Sequence, residues 1–90
     1  MKSLKLHKSN EKMYSMIDRV EAAVSGCIAA NLNDVGEAIH KVQDRLKAEC
    51  GGSWNCIIWR SKFARTAVKF KTPYAQYTGP GGLMIVIWQC

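Results

Sequence analysis

The sequence predicts an α+β fold: two helices packed on one face of a mainly antiparallel sheet, with a second copy of the chain covering the other face. Three observations lead there. Apolar residues of the first half recur at threes and fours, as in helices, whereas those of the second half form short runs separated by Gly and Pro. One strand, two helices and then a series of strands is the order expected when helices are segregated to one side of an antiparallel sheet. Finally, Trp54-Asn55-Cys56-Ile57-Ile58-Trp59 and Leu83-Met84-Ile85-Val86-Ile87-Trp88 are apolar on both strand faces, so the face away from the helices must also meet something other than water. A chain of 90 residues has little left over for that cover, and association adds buried area to a small core. A monomer whose helices and a long loop cover both faces is the alternative.

Leu4 and Leu6 alternate with Lys5 and His7, the pattern of a short edge strand with one wet face. Asn10 can cap a helix over about 11 to 30, with Met13, Met16, Ile17, Val20, Ala23, Val24, Cys27 and Ile28 as its apolar stripe. Asn31-Leu32-Asn33 breaks it. Asn33 or Asp34 starts a second helix, with Val35, Ile39, Val42 and Leu46 in period and a Glu37–Lys41 pair on the outer face, and Gly51-Gly52 ends it. Trp54 to Trp59 reads as a strand, and Phe63 to about Phe70 as another. Tyr74 to Tyr77 can extend after Pro73, Gly79-Pro80-Gly81-Gly82 turns, and Leu83 to Trp88 closes the chain. Trp54, Trp59 and Trp88 are expected to fill the gap between two stacked sheets.

The net charge of +6 is unevenly placed. Residues 1–53 hold eight cations and all seven acids, whereas residues 54–90 hold five cations, Arg60, Lys62, Arg65, Lys69 and Lys71, and no acid. Whatever docks there should tolerate negative charge, although a solvated strand face explains many of these lysines. Cysteines at 27, 50, 56 and 90 form no C-x-x-C pair; Cys27 and Cys56 read as core, Cys50 and Cys90 as more exposed. The N-terminus lacks the apolar segment of a secretory signal and no run reaches the roughly 20 apolar residues of a membrane span, so a cytoplasmic protein is expected. His7 and His40 have no nucleophile partner at motif spacing, and no phosphate loop or metal-ligand pattern is present, which argues against an enzyme and against a cofactor.

The order of elements, with Trp54-Asn55-Cys56-Ile57-Ile58 following two helices and an apolar C-terminal strand, resembles the small hub-type light chain of cytoplasmic dynein. The likeness spans residues 1–90 as one domain, and its most specific stretch is W-x-C-I-[VI]-x-R, here Trp54 to Arg60, followed by Phe63. The resemblance implies a non-catalytic homodimer, cytoplasmic and associated with the microtubule cytoskeleton, in which two sheets pack face to face and each is completed by a strand from the other protomer. It would make Phe63 to about Phe70 the exchanged strand. It would place Trp54, Asn55, Ile57, Trp59 and Phe63 at the dimer interface. Partners such as the dynein intermediate chain would add an extended segment to the outer edge of the exchanged strand, where backbone hydrogen bonds supply affinity and side-chain pockets supply choice. Phe63, Ala64, Arg65, Thr66, Ala67, Val68 and Lys69 would line that groove, with Tyr74 and Tyr77 as aromatic walls.

Several positions depart from the family pattern. Asn55 stands where a histidine is common, so an acid-sensitive seam is not expected. The phosphorylatable serine near the C-terminus is missing from Trp88-Gln89-Cys90, Ala64-Arg65-Thr66 replaces Gly-Ser-Tyr, and Asp34-Val35-Gly36 matches poorly the acid and lysine that hold a partner glutamine. Arg65 and Lys69 instead suggest acidic partner segments. The competing class is a small basic nucleic-acid-binding α+β domain, ranked second because the aromatics sit in apolar runs and not between the cations.

Overall fold

The computed structural model describes residues 4–31, 33–60 and 71–90. Along them run β1 (Lys5–Ser9), a 3-10 segment (Glu11–Met16), α1 (Ile17–Ala30), α2 (Val35–Cys50), β2 (Trp54–Arg60), β3 (Tyr74–Thr78), a short 3-10 turn (Pro80–Gly82) and β4 (Leu83–Gln89). The strand expected over Phe63 to about Phe70 lies outside the described residues, and so do the groove positions Phe63, Ala64, Arg65, Thr66, Ala67, Val68 and Lys69.

The apolar stripe of α1 is buried as its spacing demands, with Val20, Ala23, Val24, Cys27 and Ile28 in the core and Met13 beneath the preceding 3-10 segment. Asn10 does not cap that segment. Its side-chain amide reaches to the far end of the chain, Nδ2 donating to the Thr72 carbonyl at 2.7 Å and Oδ1 accepting the Tyr74 N–H at 3.2 Å. The first turn therefore begins without a side-chain acceptor for its N–H groups, and regular α-helix starts only at Ile17. Asn31 closes α1 by donating to the Cys27 carbonyl at 2.8 Å. Asp34 caps α2, accepting the Glu37 N–H at 3.0 Å, and the Glu37–Lys41 pair forms at 3.8 Å on an exposed face. Gly51, at φ 74°, ends α2 in a backbone region that other residues enter only with strain.

The strands form one antiparallel sheet in the order β1-β3-β4-β2. β2 and β4 pair over their whole length, from Trp54 opposite Gln89 to Arg60 opposite Leu83. Alternation splits the sheet into two faces. Trp54, Cys56 and Ile58 of β2, Ala75 and Tyr77 of β3, and Leu83, Ile85 and Ile87 of β4 share one cluster with the buried stripes of α1 and α2. Burying each large aliphatic side chain of this cluster contributes about 2 kcal/mol. Both helices lie on that face.

Candidate functional site

The opposite face of the sheet is built from the alternate residues, and the strand register sets them in three rows. Asn55, Trp88 and Tyr74 form one. Ile57, Val86, Gln76 and Lys8 form the next, and Trp59, Met84, Thr78 and Lys5 the third. The β2 and β4 end is thus apolar, and the β1 end is polar and cationic. Val86 and Gln76 are buried at 6 % and 7 % exposure, whereas Ile57 is 49 % exposed. Trp59, Met84, Trp88 and Tyr74 are half-buried. Among the described residues β2 is also an edge strand, paired to β4 alone, and an unpaired edge is a template for a further strand.

Of the expected interface residues, Asn55, Ile57 and Trp59 stand together on this face, with Asn55 Nδ2 2.7 Å from Cys90 Sγ. Trp54 does not. It lies five positions from Trp59 and so on the other side of β2, only 5 % exposed, its indole N–H donating to the Gly51 carbonyl at 2.8 Å and its own carbonyl accepting from Gln43 Nε2 at 3.3 Å. Trp54 fastens α2 to β2 and has no surface left for a seam.

The two groove tyrosines also separate. Tyr74 is half-buried on the helix-free face. Tyr77, three positions on, is fully buried against the helices and cannot wall a groove. Its hydroxyl finds no hydrogen-bond partner among the described residues, and burial, with Glu21 and Asp18 nearby, pushes its pKa well above the ordinary range. Arg60 and Lys71 are exposed, and the other cations of the basic stretch lie outside the described residues.

β1 departs from the simple alternation of its sequence. The register shifts between Leu6 and Lys8, so Lys5 faces Thr78 while Lys8 faces Gln76. Thr78 and Gln76 are two apart and share a face, and the lysines therefore do too, although an odd spacing in an unbroken strand would put them on opposite sides. No glycine marks this bulge in the sequence. Lys5 and Lys8 were consequently not legible as members of the same surface.

Cys27 and Cys56 are buried in the core, Cys50 is half-buried and Cys90 is exposed. Burial pushes the Cys56 thiol up to about 12, with Cys27 adding to it, and burial also raises Cys27 and Cys50. An open hollow of about 520 Å³ between α1 and α2, bordered by Cys27, Asn31, Lys41 and Arg45, lies on the helical side and touches none of the expected site residues. No described helix is long and apolar enough to cross a membrane.

No family model and no curated protein sequence matches the chain. Solved structures do. The dynein light chain-like domain of the Fasciola hepatica calcium binding protein FhCaBP2 superposes with a TM-score of 0.73 in a mercury derivative, at 10 % identity, over 100 % of this chain and 94 % of that one. Its native crystal form gives 0.73 at 11 % identity over 99 % and 92 %. The DLC-like domain of CsTAL3 gives 0.72 at 11 % identity over 97 % and 92 %. At such identity the likeness is one of fold, and this chain has the dynein light chain-like fold.

Proposed function

We propose that the protein is a non-catalytic homodimeric adaptor that binds extended segments of partner proteins by strand addition. Two copies stack the apolar ends of their helix-free faces, the strand expected over 63 to about 70 crosses to the β2 edge of the other copy, and its outer edge receives the partner. The observation that carries this reading is Ile57, 49 % exposed at the apolar β2 and β4 end of a sheet face that no described helix covers. Burying its remaining half is worth about 1 kcal/mol per copy, with Trp59, Met84 and Trp88 contributing alongside. A light chain of the cytoplasmic dynein motor, bound to its intermediate chain, is the form of this reading that the sequence resemblance names. Two grooves on one dimer would tie two partner chains together and raise avidity when the partner is itself bivalent.

Light scattering tests the first step. The expected mass is twice the protomer's 10.1 kDa, and Ile57→Glu should return it to one protomer, because a carboxylate in an apolar seam costs several kcal/mol to desolvate. A wild-type protein that stays at single mass at micromolar concentration overturns the proposal.

A further inference from the structure

Met84 stands on the helix-free face between its two cross-strand neighbours, Trp59 of β2 and Thr78 of β3, with Val86 two positions along β4. Its side chain is half-buried, and its thioether sulfur lies 4.0 Å from Thr78 Oγ1. The other described methionines are placed differently. Met13 is fully buried and Met16 packs against the helical core, both away from this face; Met1 lies outside the described residues. A strand position between Trp and Thr suits a β-branched residue at least as well. Methionine brings what Ile and Val lack, a sulfur that can be oxidised and restored.

We infer that Met84 is an oxidation site, and that its sulfoxide separates the two copies of the adaptor. The inference rests on the dimer of the adaptor reading and specifies its regulation. The oxidant is a hydroperoxide, hydrogen peroxide being the simplest. The sulfur lone pair attacks one peroxide oxygen, an S–O bond forms as the O–O bond breaks, and the second oxygen leaves as water, taking the proton of the first. Sulfur loses two electrons and the peroxide gains them. An apolar side chain thereby becomes a polar hydrogen-bond acceptor. In the free protomer, water reaches that oxygen. In a closed seam it meets apolar side chains from both copies, and a buried acceptor without donors costs free energy. The Thr78 hydroxyl is one nearby donor and leaves the rest of the acceptor's capacity unmet. Pairing and oxidation therefore oppose each other: association covers the sulfur, and the sulfoxide disfavours association.

The test treats the full chain with hydrogen peroxide, locates the added oxygen by peptide mass spectrometry and measures the dimer dissociation constant by sedimentation over a dilution series. Oxidation of Met84 should raise that constant about a hundredfold, roughly tenfold for each sulfoxide brought into the seam, and methionine sulfoxide reductases should restore it. The rate of oxidation at Met84 should fall as protein concentration rises through the dissociation constant, while the rate at Met16 stays level. Met84→Leu should give the same constant before and after peroxide. Cys90, exposed beside Asn55, is the other oxidisable group on this face, so Cys90→Ser is compared, and it should keep the full response, as should Met16→Leu. An unchanged constant in protein fully oxidised at Met84, a rate there that ignores concentration, or a response that survives Met84→Leu overturns the inference and leaves the adaptor intact. Loss of the response in Cys90→Ser assigns it to the thiol and overturns the inference as well. A single-protomer mass in the untreated protein removes the dimer of the adaptor reading itself.

Discussion

Trp54 and Ile57 stand three positions apart on β2 and meet opposite surroundings, one sealed beneath α2 and the other half in water. Parity along the strand decides which is which. Trp54 and Trp59, like Tyr74 and Tyr77, fall on opposite faces, and that much could have been counted from the sequence. Residue type concealed it, since a run apolar on both faces does not say which side the helices take and an aromatic ring suits core and groove alike. Cys56 gives a prediction at this scale. Its folded pKa of about 12 stands above the ordinary 9.0, so the native state holds a proton that the unfolded chain releases. Stability is therefore complete below pH 9.0 and is lost as pH rises toward 12. Urea midpoints should fall between pH 8.5 and 11, roughly across that window, and Cys56→Ala should flatten the decline while lowering the midpoint at pH 8. An unchanged slope in the variant would assign the alkaline loss elsewhere.

Among the elements, Asn10 ties the entrance of the helical segment to the stretch that leads into β3, through two hydrogen bonds spanning more than sixty residues of sequence. Asn10→Ala should cost about 2 kcal/mol, because the Thr72 carbonyl and the Tyr74 N–H both lose a half-buried partner. Asn10→Asp keeps the acceptor for Tyr74 and loses the donor to Thr72, so thermal unfolding should place it between the wild type and Asn10→Ala. A cap-only role would leave Asn10→Asp as stable as the wild type. Periodicity made α1, α2, β2 and β4 legible, since each has a full stripe or run of apolar residues. The helix start and the β1 bulge were not. Asn serves as cap or as bridge with the same two polar atoms, and a bulge without glycine leaves no mark in a lysine-rich strand.

At the scale of the whole molecule, the fold is that of a dynein light chain-like domain. The proposed seam carries Asn55, Ile57, Trp59, Met84, Val86 and Trp88 in its central rows, none of which gains charge between pH 7.5 and 6. Sedimentation should accordingly give the same mass at both pH values, whereas Asn55→His should make association weaken on acidification, since charging a buried imidazole costs desolvation energy. Dissociation of the wild type at pH 6 would place a titrating group at the seam. The uneven placement of charge has one more consequence. The helical segments and the cap of α2 hold seven acids against five cations, whereas the described strands hold Lys5, Lys8 and Arg60 and no acid, so the described residues form a modest electric dipole directed through the sheet. An oppositely charged chain diffusing nearby would feel a torque before it touches, and would arrive already turned toward the side that can hold it.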